Sequence, residues 1–187
     1  MKMYCLQVKP GYEAYAVREI RRSGYEAYAP ARIALHRRGG SWWETEHLVF
    51  PGYAFVRTLL ADGDYQKIMQ CAGVIRFLGC GAPEPLQPHE AQYIDLLHNG
   101  GELIKPSEIH IRPDGSMVYV AGLICSFSSR EIEHNPRQRR ATVPITIAGK
   151  QYHITLAVRY YQQTDLMTDA GVDTSPSAGQ DCMMPAT

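Results

Sequence analysis

Apolar and polar positions change period several times along the chain, and each change marks an element. Tyr4-Cys5-Leu6-Gln7-Val8 is a short apolar run closed by Lys9-Pro10-Gly11, the form of an opening β-strand. From Tyr12 to Ser23, Ala14, Val17 and Ile20 recur near helical spacing with Arg18, Arg21 and Arg22 beside them. This predicts an amphipathic helix, stopped by Gly24. Tyr25 to Ala29 alternates like a strand. Arg32 to His36 and Trp42 to Leu48 read as the arms of a hairpin that turns at Arg37-Arg38-Gly39-Gly40-Ser41. Phe50-Pro51-Gly52-Tyr53 follows as a tight turn, because proline presets φ and glycine accepts a positive one. It launches a strand over Tyr53 to Leu59, on which period two puts Tyr53 and Phe55 on one face and Ala54 and Val56 on the other.

Asp64 to Gln70 predicts a short helix capped by Asp62 or Asp64, and Val74 to Leu78 a further strand. Pro83, Pro85 and Pro88 exclude regular structure from Gly79 to Pro88. A helix carrying Ile94, Leu96 and Leu97 then starts at Pro88 and ends at Asn99-Gly100-Gly101. These elements describe an α+β domain over residues 1–100, with one sheet and flanking helices. Residues 101–113 read as a linker or a lead-in strand. From Asp114 the helical period disappears, and Leu123 to Phe127, Ala141 to Ile147 and Tyr152 to Val158 predict short strands. A stretch of this kind over 114–161 suits a small β-barrel. Residues 162–187 are rich in Asp, Thr, Ser and Gly without a basic residue, and predict a disordered tail.

Charge sharpens this division. The 187 residues have a formal net charge of zero, but residues 1–60 hold nine basic against five acidic side chains and 61–108 three against seven. Residues 109–161 hold seven against three, and the remainder none against four. Two basic segments separated by an acidic one point to two modules with their own surfaces. The five cysteines have no CxxC spacing, which disfavours a disulfide framework or zinc site and predicts buried thiols in a reducing cytosol. No apolar run is long enough for a membrane span, and Met1-Lys2-Met3-Tyr4 does not open a signal peptide.

The strand into Lys9-Pro10-Gly11, the Arg-Gly-Gly hairpin, Phe50-Pro51-Gly52-Tyr53, and Gly73-Val74-Ile75-Arg76-Phe77-Leu78-Gly79 before a proline loop together resemble the NusG family of transcription elongation factors. The likeness runs from residue 3 to about 161 and implies an NGN domain followed by an SH3-like KOW barrel. In the second half Asp114-Gly115-Ser116-Met117 and Gly122-Leu123-Ile124 match more loosely. Ser116 stands where the family has proline, Tyr119 where glycine is frequent, and Cys125 to Arg130 read as an insertion. These departures resemble the specialised paralogues of the RfaH and LoaP type, which act as processive antiterminators on selected operons.

The resemblance implies a monomer without cofactor or metal that binds RNA polymerase. An apolar pocket for the clamp helices would use Phe50, Tyr53 and Phe55, rigid aromatics of the kind that anchor interfaces. Tyr4, Leu6 and Ile68 stand close by and equally fit ordinary core. Asp64, Tyr65 and Gln66 would face the polymerase lobe or gate loop across the cleft, so that bridging holds the clamp closed and suppresses pausing. Arg37 and Arg38, with Arg32 and Lys9, would meet upstream or non-template DNA, and Trp42 or Trp43 could stack on unpaired bases. The run His134 to Arg140 contains Arg137, Arg139 and Arg140, and with Arg130 and Lys150 suits phosphates of nascent RNA. Met117, Val118, Tyr119 and Val120 fall in the loop where KOW domains meet a ribosomal protein or termination factor.

Three rival readings remain at this stage. One is a housekeeping termination or transcription–translation coupling factor; another is a ribosome or translation factor that uses a similar barrel for RNA. An enzyme would need a thiol–imidazole pair, such as Cys71 or Cys80 with His36, His47, His89 or His98, and nothing in the spacing favours one.

Overall fold

The computed structural model describes residues 1–162, so the tail expected at 162–187 lies outside the described residues except for Gln162. The first half contains β1 (Lys2–Val8), α1 (Glu13–Arg22), β2 (Glu26–Tyr28), β3 (Ala31–Arg38), β4 (Ser41–Leu48), β5 (Tyr53–Thr58), α2 (Asp64–Met69), β6 (Val74–Phe77) and α3 (Pro88–His98). Strands β2-β5-β1-β6 form an antiparallel sheet, and β3-β4 stand apart as a two-stranded hairpin. The Pro51-Gly52 turn closes through Tyr53 N–H donating to Phe50 O at 3.2 Å, with Gly52 at φ +82°. Buried Glu13 at the start of α1 fixes the same turn, accepting from Gly52 N at 2.7 Å.

Period two sorts the sheet into two faces. Tyr4, Leu6, Val8, Ala54 and Val56 pack with Ala16, Val17 and Ile20 of α1 and Ile68 of α2. Met3, Cys5, Tyr53 and Phe55 point the other way, toward Phe50 and toward Ile94 and Leu97 of α3. The register pairs Cys5 with Phe55 and Leu6 with Ala54, so both strands alternate in phase. Tyr4, Leu6 and Ile68 are therefore core beneath helices rather than members of the aromatic surface.

The second half contains β7 (Ser107–Ile111), β8 (Met117–Ala121), β9 (Glu133–Asn135), β10 (Arg140–Ile147) and β11 (Lys150–Gln162) in the order β8-β7-β11-β10-β9. One local expectation is narrowed and two change. Within 101–113, Ser107–Ile111 takes the strand alternative, as an internal strand of this sheet rather than a lead-in, with Ser107 and Ile109 fully buried between parallel β11 and antiparallel β8. Leu123 to Phe127 is no strand: Leu123–Ser126 form a 3-10 turn that buries Ile124. The cause is Gly122 at φ +93°, where a Cβ would come within 2.6 Å of Ser107 Oγ and the chain folds back over β7. Met117 to Val120 form the edge strand β8 instead of a loop.

The two edges of this sheet approach one another. Tyr119 on β8 and His134 on β9 share a hydrogen bond of 2.8 Å through the His134 Nε2, and His134 Nδ1 meets Tyr160 Oη at 3.0 Å. Burial lowers the affinity of His134 for a proton and pushes the Tyr160 phenol up to about 12, which keeps this pin neutral. The pin curls the sheet into a barrel-like form. The result is a mixed α+β chain: an NGN-like first half and a sheet-rich second half.

Candidate functional site

Phe50 and Phe55, expected to line an open pocket, are 5% and 1% exposed. Their rings meet edge to face at 5.4 Å, and Phe50 meets Tyr152 of β11 in the same way at 5.6 Å. Tyr53 is half-buried, and its hydroxyl lies beside that of Tyr152. The aromatic face thus continues into the apolar core of the second half, through Ile145, Ile147, Ile154 and Leu156. Tyr93 of α3 stacks on Phe127 at 6.3 Å, extending the contact. A polar bond trims its edge, buried Glu90 Oε1 accepting from Gly149 N at 3.2 Å; farther along β11, Arg159 pairs with Glu44 of the hairpin at 2.8 Å and ties the two halves together. Cys5 lies on this face, and burial, reinforced by the Glu90 carboxylate, pushes its thiol up to about 12.

Residues missed in the sequence complete the face. Met3 and Cys5 were legible from alternation in β1, had its phase been extended from Tyr4. Tyr152, the cover, had no local signal, because its role depends on how two halves dock.

On the opposite side of the sheet, α2 begins after Gly63 at φ +87°, so Asp64 is its first residue rather than its cap. The Asp64 carboxylate accepts from Tyr25 Oη at 2.8 Å and from Thr58 Oγ1 and Ala61 N at 3.0 Å each. The bond from Tyr25 is the main cause that holds this carboxyl below its usual range. Those three donors tie Asp64 to the fold. Tyr65 and Gln66 remain exposed, with the Tyr65 ring stacked on Phe77 at 5.4 Å.

The two basic segments, separated by about a hundred residues, face each other across a groove of about 490 Å³. Arg32, His36, Arg37, Trp42 and His47 line it from the hairpin; Arg137, Gln138, Arg139 and Arg140 line it from the turn between β9 and β10. The turn is rigid. Asn135 Oδ1 accepts from Gln138 N at 3.1 Å, and Arg139 sits at φ +50° with its carbonyl accepting from Val158 N at 2.8 Å. The Arg139 guanidinium covers the Trp42 ring at 4.7 Å, so Trp42 is half-buried while Trp43 is 60% exposed. Among the described residues, none of the five arginines has an ion-pair partner, and burial alone lowers the proton affinity of Arg32.

Other expected nucleic-acid residues do not join this groove. Arg38 lies at the hairpin tip, Lys9 stands over the Tyr12 ring at 4.6 Å, Arg130 is on another exposed turn and Lys150 is the exposed first residue of β11. The β8 residues Met117, Val118 and Tyr119 are half-buried, and Val120 is exposed. Of the cysteines expected to be buried, Cys5 and Cys71 are, whereas Cys80 and Cys125 are exposed. The Cys71 thiol donates to Lys67 O at 3.4 Å and also neighbours Ser23 Oγ, an inward-facing arrangement.

Comparison with known proteins fits this architecture. The family model described as "NusG: Transcription termination factor nusG" matches residues 1–95. The "Transcription termination/antitermination protein NusG" of Thermus thermophilus is 28% identical over 130 residues, covering 64% of this chain and 70% of that protein. The protein of the same description from Pseudomonas aeruginosa is 23% identical over 167 residues, covering 83% of this chain and 94% of its own. A solved structure described as "Domain interaction in Thermotoga maritima NusG" covers 83% of this chain and 93% of its own at 21% identity, with a TM-score of 0.46, too loose to bear on domain placement. The family match spans just over half of the sequence and falls on the half that carries the aromatic turn and the hairpin; the chain belongs to the NusG family, whose named relatives are transcription termination and antitermination proteins.

Proposed function

We propose that this chain is a transcription elongation factor that binds RNA polymerase through the Phe50–Tyr53–Phe55 face and is restrained by its own second half. The carrying observation is the cover itself: a large aromatic surface, continuous with the sheet, is covered only in part by α3 of its own half, and Phe50 lies beneath Tyr152 of the second half. Rigid aromatics of this kind provide most of the energy of a protein interface once they are uncovered. Undocking would present them to an apolar helical tip such as the polymerase clamp coiled coil. Tyr65 and Gln66, exposed on the far side of the sheet, would then reach the lobe or gate loop, so that one domain spans the cleft and suppresses pausing.

A face closed until a signal opens it suits a factor recruited to selected operons, and the departures at Ser116, Tyr119 and 125–130 favour the specialised antiterminator over a housekeeping role. The basic groove supports a nucleic-acid partner, and the β8 edge could meet a ribosomal protein or termination factor. The test is capture of the full chain by the clamp coiled coil, with readthrough of an intrinsic terminator as the functional readout. Tyr53→Ala should weaken capture about tenfold, and Tyr152→Ala should strengthen it. Unchanged capture by Tyr53→Ala would overturn the assignment.

A further inference from the structure

We propose that the groove between the hairpin and the β9–β10 turn is a single binding site for an unpaired nucleic-acid strand, composed from both halves of the chain and present only while they are docked. This rests on the nucleic-acid part of the proposed function and deepens it.

The first support is charge. Arg32 and Arg37 face Arg137, Arg139 and Arg140, and no acidic residue belongs to the lining. Bringing five unpaired guanidinium groups together is electrostatically unfavourable unless an anion is held between them. Glu44, paired across the hairpin with Leu35 of the lining, is occupied by Arg159 at 2.8 Å. A polyanion with repeating phosphates matches this requirement, because each guanidinium fork can contact one phosphate.

The second support is preorganisation. The Asn135–Gln138 bond, the left-handed Arg139 and its carbonyl bond to Val158 fix the turn before any ligand arrives. Stacking on Trp42 leaves the edge of the Arg139 guanidinium free to donate while fixing its plane. On the hairpin, β3 is held along its outer edge by Ile104, through Ile33 N to Ile104 O at 2.9 Å and Ile104 N to Ala31 O at 3.0 Å. Both banks of the groove are therefore rigid, which reduces the ordering penalty on binding.

The third support concerns bases. Trp43 is exposed beside the groove and pairs across the hairpin with His36, which lines it. An exposed indole at the rim of a phosphate track is a stacking platform that only an unpaired base can use. RNA and DNA single strands offer the same phosphates and base faces, and the experiment separates them.

Fluorescence anisotropy of the full chain with labelled single strands of about 12 nucleotides, oligo-U RNA and oligo-dT DNA, alongside a duplex of equal length, tests the proposal. One strand should bind per chain, more tightly than the duplex; the tighter of the two single strands identifies the source. Arg37→Glu and Arg140→Glu are exposed substitutions on opposite banks, and each should lower the affinity of all binding by about tenfold. Each should also flatten the salt dependence, by about 0.7 in log–log slope per lost phosphate contact. Tyr152→Ala, which loosens docking away from the groove, should weaken strand binding as well. Two strands per chain, a full-affinity site surviving either reversal, or equal binding of the duplex would overturn the proposal. No polymerase enters the assay, so its result stands apart from that of clamp capture.

Discussion

The two faces of the β2-β5-β1-β6 sheet are built from the same alternation and end in different circumstances. One is covered by α1 and α2, whose residues directly follow strands of the same sheet and pack against Leu6, Val8 and Val56. The other receives α3 along part of its area and, over Phe50 and Phe55, a strand about a hundred residues away in sequence. The first cover is local and apolar, while the second combines apolar stacking with rim bonds such as Glu90 to Gly149 and Glu44 to Arg159. An interface with ring contacts at its centre and exposed ion pairs at its edge resembles a protein–protein contact more than a core. Burial alone therefore does not distinguish a structural aromatic from a binding one; the origin of its cover does.

The sharpest separation should come from Leu6→Ala against Tyr152→Ala. Truncating fully buried Leu6 leaves a cavity under α1 and should cost about 3 kcal/mol, read from the denaturant midpoint. Tyr152→Ala removes an edge-to-face contact at a half-exposed site and should cost about 1 kcal/mol. Equal losses would mean that the two faces are equally permanent.

Two cysteines mark the faces independently. Cys71 is buried with the helix-covered cluster and Cys5 with the aromatic one. In the intact chain iodoacetamide should modify exposed Cys80 and Cys125 first, with Cys5 and Cys71 protected. In Tyr152→Ala, Cys5 should react about tenfold faster as docking weakens, while Cys71 should not change. Parallel acceleration of both, followed by mass spectrometry of the peptides, would show general unfolding instead of undocking.

The smallest effect belongs to the rim. Glu44 and Arg159 are each about half exposed, so Glu44→Ala should shift docking by at most about 0.5 kcal/mol. It should raise the Cys5 labelling rate less than twofold, and high salt should erase the difference. A large effect would make the rim, rather than the aromatic centre, the principal latch.

Much of the first half was legible because its signals are local. The Pro51-Gly52 turn, the arginine hairpin and the alternation of Tyr53 to Val56 each arise within a few residues. The second half yielded less. Leu123 to Phe127 has strand-like composition, but the close approach of Gly122 to Ser107 bends it into a turn. Ser107–Ile111 gave no sign of its internal place in the sheet, since one of its two partners is the end of β11, some fifty residues away. Asp64 read as a helix cap because its true partners, Tyr25 and Thr58, come from β2's approach and the end of β5. For the candidate site, the residue types were legible and their grouping was not. Arg37 and Arg140 share a groove only because the hairpin leans on the second sheet.

The parallel pairing of β7 with β11 also sets an order of events at the ribosome. Ser107 cannot find Val158, nor Phe50 its cover Tyr152, until the end of the second sheet has left the exit tunnel. By then the NGN-like half has had all its own strands available for several seconds of synthesis. Every newborn chain thus passes through a stage in which the aromatic face lacks its Tyr152 cover. A ribosome stalled shortly before Tyr152 would hold the factor in that uncovered form.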